Sequence, residues 1–369
     1  MPFINIHSLR TLPFSNVNRD AYGSPKSVTF GGVPRARISS QAIKRAARVG
    51  FESTSPADRT DRTKFAPARV VEMVQEKLGP LSPEDLDTAS KQASEKIESL
   101  VTKAKSGTEK AGSAKKAASS SPDATSTLVF LAEAELGQIA GQVIAALNGN
   151  EYTEEDDPIR TTTASLTVAS FGRMFAAAPK LNMEAAIQVA SAFTTHQMEV
   201  DVDYFTAVDD LRADLEGDAG AGHLDTAEYT SGVFYSFIAI DIAQLKHNWE
   251  DHESYNAEDR LALLIRELLI ALPSGKRSST APLTVPNYVL VEKASHAIQY
   301  APAFDVPVRP GANGGGLIIP SIEALKSECD RVRQFSGDML HVHDSMTVER
   351  GGAHNLVDVC RWAAQQILA

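Results

Sequence analysis

The sequence contains little cysteine and no long apolar run. Its 369 residues include only two cysteines, Cys329 and Cys360, whose spacing matches no metal site and fits a reducing compartment. No stretch approaches the roughly 18 consecutive apolar residues that suggest a membrane span, and the opening MPFINIHSLR lacks the pattern of a secretion signal. These absences predict a cytoplasmic protein that has no membrane contact and binds no metal.

Catalytic signatures are missing as well. The sequence has no Gly-x-Ser-x-Gly elbow, no Ser-His-Asp pattern and no paired catalytic carboxylates. Residues 273–280, PSGKRSST, contain Lys276 and Arg277 but lack the second glycine and the spacing of a P-loop. They predict a loop that contacts phosphate without hydrolysing a nucleotide. The sequence therefore predicts a protein that is not an enzyme and needs no cofactor.

Positive charge is scarce overall but locally concentrated. The net charge of −11 disfavours a polyanionic partner on average. Residues 21–51 nevertheless contain six cations and no acidic residue. The six are Lys26, Arg35, Arg37, Lys44, Arg45 and Arg48. Because binding depends on local charge, this window predicts a contact with phosphate groups.

The centre of the window is the segment 35–48, and its part after Ser39 has the pattern of an amphipathic helix. Ser39 or Ser40 can cap its start. Spacing of i, i+4 gives an apolar face made of Ile43, Ala47 and Phe51. The opposite face carries Gln41, Lys44, Arg45 and Arg48.

The chemistry of this helix suits a sugar-phosphate chain. Guanidinium groups hold phosphate bidentately, ammonium groups attract it as point charges, and the N–H groups at a helix start bind anions. Nothing in the segment would read base edges, so the predicted binding is independent of sequence. A solvated basic helix face is the alternative, which the absence of acidic residues disfavours.

Periodicity predicts an α+β fold with an interrupted sheet. Strands are predicted at residues 3–7, 198–204 and 231–245, and a loop at 16–32. Residues 54–178 are predicted to be mainly helical, with a flexible loop at 105–126. Further helices are predicted at 185–193, 258–272, 322–332 and 357–368.

Residues 194–211, TTHQMEVDVDYFTAVDDL, allow more than one functional interpretation. His196, Asp201 and Asp203 suggest the metal site of a metal-dependent ribonuclease, although alternating acids on a strand usually face water. Phe205, next to an acidic turn, would instead be an exposed wedge that inserts between bases. A core position for Phe205 is the third interpretation.

Several motifs occur together in an order that is typical of one family. They are FINIH at the start, Asn18-Arg19-Asp20, Phe30-Gly31-Gly32, RARISSQAIKRAAR, GRM at Gly172, THQMEVDVDYFTAVDDL, AGHLDTAEYTSGVFY and PSGKR. With these motifs the chain resembles the CasC family, the crRNA-binding backbone subunit of the type I-E CRISPR Cascade complex. The resemblance is weakest over residues 54–170 and after residue 285.

The resemblance implies a shape like a right hand. An RRM-like (ferredoxin-like) palm would comprise residues 1–53 and 181–369. A helical fingers insertion would comprise residues 54–180, and a protruding thumb hairpin would lie at about 196–222. In the family, copies stack into a helical filament along the guide RNA, and each thumb kinks that RNA.

The resemblance also implies which residues contact RNA. Together with the charge pattern, it predicts the RNA-binding set Arg19, Lys26, Arg35, Arg37, Ser39, Ser40, Gln41, Lys44, Arg45, Arg48, Arg173, Met174, Lys276 and Arg277. The thumb tip would consist of Phe205, Thr206 and Val208.

The implied partners are crRNA, target DNA by way of the guide, other copies of the chain and other Cascade subunits, in antiviral defence. Sequence reading would be left to base pairing. One stretch departs from the family pattern: residues 151–157 are acidic where family members have lysines that help to hold target DNA. Contact between the fingers and a DNA duplex is therefore in question.

Overall fold

The computed structural model describes residues 2–101, 124–125, 127–150, 158–207, 223–311 and 316–369. Its strands are β1 (Phe3–Ser15), β2 (Ser27–Phe30), β3 (Val33–Ile38), β4 (Thr60–Thr63), β5 (Val129–Ala132), β6 (Ile187–Val189), β7 (Ala192–Thr194), β8 (Asp201–Ala207), β9 (His223–Asp241), β10 (Tyr288–Ala294) and β11 (Val342–Glu349). Its helices are α1 (Ser40–Thr54), α2 (Ala66–Leu78), α3 (Pro83–Val101), α4 (Glu133–Leu147), α5 (Leu166–Phe171), α6 (Ile242–Asn248), α7 (Ala257–Ile270), α8 (Arg277–Thr280), α9 (Ile318–Ser336) and α10 (Leu356–Leu368).

Some predicted features lie outside these described residues. They are residues 105–123 of the predicted loop, the acidic residues 151–157 and thumb residues 208–222, which include Val208. Among the helices that the structure describes, none is long and apolar enough to cross a membrane.

The chain divides into two compact units. The first comprises Met1–Phe51, Gln188–Ile242 and Leu261–Ala369. Its sheet has the strand order β11-β10-β1-β9-β7-β3-β2, and the neighbouring strands pair antiparallel. β8 pairs antiparallel with the first part of β9.

Both faces of this sheet are covered. Successive side chains of a strand point to opposite faces, so each face builds its own core. Val233 and Tyr235 of β9 pack with Leu325 of α9 on one face. Phe234 packs with Ile43 of α1 in a separate cluster. The basic helix α1 is thus held on the sheet face opposite α9.

A buried polar network links β1, β9 and β10 in the first unit. The Tyr300 backbone N–H donates to the Tyr235 hydroxyl at 3.1 Å, and that hydroxyl forms a hydrogen bond with His7 Nδ1 at 3.0 Å. Glu292 accepts hydrogen bonds from the Tyr300 hydroxyl at 2.9 Å and from Arg333. Burial lowers the pKa of His7. Burial alone would raise the pKa of Glu292, but the neighbouring His7 and Arg333 lower it.

The second unit comprises Glu52–Ile187 and Ala243–Arg260. Helices α2, α3 and α4 enclose a core that includes Val70, Ala93, Ile97, Leu136 and Ile139. β4 and β5 form a separate two-stranded antiparallel sheet.

One buried carboxylate joins several segments of the second unit. Asp58 accepts from Arg260 Nη2 and from the Leu166 backbone N–H, both at 2.7 Å. Arg260 also donates to Asp251 at 2.7 Å. Asp58 is fully buried. Its charge is compensated because Arg260 donates to both of its carboxylate oxygens.

The structure confirms a mixed fold of helices and strands with an antiparallel sheet. The predicted helix at residues 185–193 is wrong, because this segment forms β6 and β7, and β7 pairs with β3 and β9. The basic helix α1 begins at Ser40, as the predicted cap at Ser39 or Ser40 requires, and the residues before it form β3. The predicted loop at 16–32 contains β2. Pairing with distant strands overrides local preference in these short segments.

We expect Glu292→Gln to lower the free energy of unfolding by about 1.5–3 kcal/mol near neutral pH, because Arg333 and Tyr300 lose a charged acceptor. The folded state lowers the pKa of Glu292, so its contribution is complete above the carboxyl's ordinary pKa of 4.5 and is lost as the pH falls further. Urea unfolding of both proteins across this pH range measures the difference, which should shrink on acidification.

Glu349→Gln is the matched control. Glu349 also pairs with α9, through Lys326 at 3.1 Å, but the two side chains are 46% and 49% exposed. An exposed pair contributes less than about 1 kcal/mol. Equal losses in the two variants would contradict the special role of the buried network.

Candidate nucleic-acid interface

Helix α1 presents the two faces that its spacing predicted. Ile43, Ala47 and Phe51 are buried, at 8%, 0% and 0% exposure. On the polar face, Gln41 and Arg45 are exposed, whereas Lys44 and Arg48 are partly buried. Burial lowers the pKa of Lys44. The helix therefore anchors its apolar side in the first unit and keeps its polar side at the surface.

The segment after β1 is fixed against the start of α1. The Ser39 backbone N–H donates to Asn18 Oδ1 at 2.9 Å. The Lys26 N–H donates to the Asn18 carbonyl at 2.9 Å, and the Arg37 N–H donates to the Lys26 carbonyl at 2.7 Å. Arg19 is exposed and bridges to Pro25 within the same loop. These bonds bring Arg19, Lys26 and Arg37 to the beginning of the basic helix.

The PSGKR loop joins the same surface. A Cβ atom on Gly275 would lie 2.5 Å from the carbonyl oxygen of Val17, so only glycine permits this approach. Lys276 then adopts a left-handed conformation with φ 48°. Its ammonium lies 5.7 Å from the ring centroid of Phe205, and Arg277 is exposed at the start of α8. Two predicted cations thus lie beside the segment that follows β1.

The β8–β9 ribbon carries the thumb residues that the structure describes. Phe205 is directly opposite Asp225 in the ladder, and Thr206 is exposed. Phe205 is 39% exposed, so the interpretation of this ring as a buried core residue is wrong. Val208 lies outside the described residues.

The structure corrects the prediction that Arg35 grips phosphate. Its side chain is fully buried, and it donates to the carbonyls of Phe30, Thr194 and Phe304 at 3.2, 3.0 and 2.7 Å. Burial lowers the pKa of this guanidinium, and the charge of Asp305 opposes that shift. Arg35 therefore holds three segments of the first unit together and does not reach the surface.

Arg173 is corrected for the same reason. Its side chain in the second unit is buried and pairs with Glu135. It also donates to the carbonyl of Arg160 and lies over the ring of Phe175 at 5.3 Å. Its neighbour Met174 is 81% exposed. Of this predicted pair, only Met174 is accessible.

The proposed ribonuclease site lacks a suitable histidine geometry. His196 Nδ1 contacts the Gln197 carbonyl at 2.8 Å, and Nε2 accepts from the Val233 N–H at 3.2 Å. Both ring nitrogens therefore have backbone partners. Burial lowers the pKa of His196. Within the described residues, no group of three or more His, Cys, Asp or Glu side chains could hold a metal.

Some contacts of this surface have weak signals in the sequence. Gly275 could have indicated a close backbone approach, but nothing in its neighbourhood identifies Val17 as the partner. The stacking of Phe14 on Tyr229, at 4.1 Å between ring centroids, was not predicted. Arg35 belongs to the same basic segment as exposed Arg45, so its burial could not have been read from the charge pattern.

The fold defines the class: an α+β protein with an antiparallel sheet. The CT1975-like protein family matches residues 4–359. The chain belongs to this CT1975-like family, and the predicted resemblance to the CasC family is confirmed. No curated protein sequence matches the chain.

Two solved structures are similar over nearly the whole chain. One chain of a CRISPR RNA-guided surveillance complex, pre-nicking, is 27% identical with a TM-score of 0.77, and the alignment covers 98% of this chain and 100% of that chain. A chain of a second CRISPR RNA-guided surveillance complex is 23% identical with a TM-score of 0.63, covering 98% and 99%. The second likeness concerns the fold alone.

We expect Arg35→Lys to destabilise the protein by about 2–3 kcal/mol, because an ammonium cannot satisfy three carbonyls in the fixed fork geometry of a guanidinium. Arg45→Lys on the exposed face of α1 should change stability by less than about 0.5 kcal/mol. Urea unfolding of both variants checks the difference. A stable Arg35→Lys protein would show that the three hydrogen bonds contribute little.

Proposed function

We propose that this chain is a non-catalytic crRNA-binding backbone subunit of a type I-E CRISPR Cascade surveillance complex in the cytoplasm. The observation that carries the proposal is that hydrogen bonds and one close backbone approach join three cation-bearing segments into a basic surface of the first unit. It extends from the polar face of α1, through the loop that holds Arg19 and Lys26, to Lys276 and Arg277. The family membership and the 27% identical surveillance-complex chain support the same role.

The surface would bind the sugar-phosphate backbone of the guide. Arg45 and Arg48 offer guanidinium forks to phosphate oxygens, and Lys44 and Lys26 contribute ammonium charges. Ser40 and Gln41 at the start of α1 would add hydrogen bonds near the positive end of its dipole, whereas the predicted contact Ser39 is buried at 8% exposure. The described side chains of this surface include no arrangement dedicated to one base, so the grip would accept any guide sequence.

Net negative charge is compatible with this role. The cations are concentrated in one surface of the first unit, and counterion release from RNA depends on the phosphates neutralised there and not on the charge of the whole chain. The acidic remainder would repel RNA elsewhere. This division would keep the guide on one path across the subunit.

We further propose that β8 and the first part of β9 belong to a thumb that kinks the guide. Phe205 and Thr206 are exposed on this ribbon, and Lys276 supports the Phe205 ring from the side of the basic surface. A ring inserted between two bases gains stacking energy from either neighbour, whatever the base. The kink would then recur once for each copy along the RNA.

The first unit would be the RRM-like palm, and the second unit would be the helical fingers. The first stretch of the first unit ends at Phe51, close to the predicted palm boundary at residue 53. Its second stretch begins at Gln188, close to the predicted boundary at residue 181. Exposed Met174 of the second unit would pack against the RNA, whereas buried Arg173 would fix the backbone that presents it.

Copies of the chain would stack along one guide, with other Cascade subunits completing the complex. The guide bases would pair with target DNA, so recognition of an invading sequence in antiviral defence is delegated to base pairing. Each copy would hold only a short length of guide. Oligomerisation would therefore multiply a modest contact into a stable ribonucleoprotein.

Lys44→Glu combined with Arg48→Glu should abolish retention of guide RNA, because both substitutions place negative charge beside phosphate. Fluorescence anisotropy with labelled single-stranded RNA at several salt concentrations measures the effect. Two lost phosphate contacts should also reduce the slope of log K against log salt by about 1.4. Circular dichroism checks that the variant is folded.

Arg331→Glu combined with Arg350→Glu makes the same change in net charge elsewhere in the first unit. Both residues are exposed, on α9 and after β11. This control should bind RNA almost as well as the wild type. Equal loss in both double variants would mean that binding follows total charge, and unchanged binding in the Lys44/Arg48 variant would refute the assigned surface.

Phe205→Ala should weaken RNA binding by about fivefold or more, since it removes a stacking ring. It should cost much less stability than the roughly 3–5 kcal/mol of a buried phenylalanine, because Phe205 is 39% exposed. Phe193→Ala, at 8% exposure on β7, supplies the core comparison. Thermal unfolding measures the loss of stability, and RNA titration measures the loss of affinity. If Phe205→Ala and Phe193→Ala were equally destabilised, a thumb role for Phe205 would be excluded.

A further inference from the structure

A bulge near the end of β1 turns one aromatic side chain outwards. Leu12 is opposite Gly232 of β9, but Ser15 is opposite Thr230, so β1 has one extra residue between these pairs. Bulges bend a strand and redirect the side chains that they contain. The residue before Ser15 is Phe14, which is 42% exposed although it lies on a strand whose other half is almost entirely buried.

Phe14 has one ring face covered and offers the remainder to solvent. Its ring stacks on Tyr229 of β9 with centroids 4.1 Å apart and planes inclined by 29°. Tyr229 itself is only 6% exposed. Buried Tyr229 is therefore a fixed support for the Phe14 ring that stacks on it. Such a rigid, half-exposed ring has little conformational entropy to lose when a second planar group stacks on it.

This ring lies on the same face of the β8–β9 ribbon as Phe205. In an antiparallel ladder, directly opposite residues share a face, and so do residues two apart on one strand. Phe205 is opposite Asp225, and Tyr229 is four residues further along β9. Phe205 and Tyr229 thus occupy one face, and Asp225, opposite Phe205, lies about 13 Å from Tyr229 along β9 at 3.3 Å per residue. Phe14 stacks on Tyr229 at that end of the face.

Basic residues lie close to both rings along the chain. Phe14 is followed by the loop that carries Arg19 and Lys26, and Asn16 ties that loop to β9 by donating to the Glu228 carbonyl at 2.8 Å. Lys276 lies over Phe205. The loop that carries Arg19 and Lys26 is thus fixed next to Tyr229, the ring that supports Phe14, which offers cations for the phosphate of a base on Phe14.

We propose that Phe14 is a second stacking platform, which binds a nucleobase of the single-stranded RNA held by the basic surface. The inference rests on the proposed function and adds a contact to it. The occupant is a base carried by a phosphate chain, because the flanking groups are cations and the ring is a flat π surface. It would bind any base, since a ring stacks on each of them.

The acids of the ribbon limit how the base is oriented. Asp201, directly opposite Tyr229, is exposed on this face, as is Asp203. Carboxylates repel phosphate but accept hydrogen bonds from the amino groups of bases. The base would thus point towards the ribbon, and its phosphate would lie towards Arg19 and Lys26.

The test compares three substitutions at Phe14 in the full-length protein, using fluorescein-labelled single-stranded RNA of mixed sequence. Phe14→Ala and Phe14→Leu should both weaken binding by roughly fivefold to a hundredfold, and Phe14→Tyr should stay within about twofold of the wild type. Leucine keeps an apolar side chain over Tyr229 but has no π surface. Loss of affinity in Phe14→Leu would therefore come from the missing π surface and not from a disturbed fold. Phe335→Ala, at a 94% exposed phenylalanine of α9, should leave binding unchanged.

RNA that contains abasic residues provides an independent readout. The wild type should lose affinity for this RNA, and Phe14→Leu should lose clearly less, because the contact is already absent. If Phe14→Leu bound RNA with wild-type affinity, the proposal would be overturned. The same holds if a Phe14 variant kept its RNA affinity but no longer associated with further copies of the chain, because Phe14 would then contact a neighbouring copy. If the Lys44→Glu/Arg48→Glu protein also bound RNA normally, the proposed function itself would fail.

Discussion

β9 pairs along its whole length, with β8 over His223–Tyr229 and with β1 over Thr230–Asp241. These two ladders fix the register in which everything else of the first unit is placed. A slip by one residue would exchange the face of Phe234, which packs towards α1, with that of Tyr235, which belongs to the buried network. The basic helix and the exposed aromatic rings therefore take their positions from one strand.

Arginine has two distinct roles in this protein. Arg35 and Arg173 are buried and satisfy backbone carbonyls or a carboxylate, which fixes loops that would otherwise be independent. Arg19, Arg45 and Arg277 are exposed, and in the proposed function they would bind phosphate. A guanidinium serves both roles because its five donors are fixed in one plane. Burial and hydrogen-bond partners, more than charge, separate the two groups.

Sequence patterns were most informative where local periodicity and burial coincide. The face formed by Ile43, Ala47 and Phe51 was predictable because an amphipathic helix encodes its own orientation. Residues 185–193 were misassigned because β7 has three residues, and its structure depends on pairing with strands far away in sequence. The burial of Arg35 was hidden for a similar reason: its acceptors include Thr194 and Phe304.

The three acceptors of Arg35 have a consequence for synthesis on the ribosome. Phe30 emerges just before Arg35, but Phe304 follows it by 269 residues. Until that late segment has been translated, the Arg35 guanidinium lacks one of its three acceptors. The β2–β3 hairpin therefore cannot adopt its final packed position before then. The N-terminal cations are thus made early and positioned late, so that a nascent chain carries these charges before their final geometry has formed.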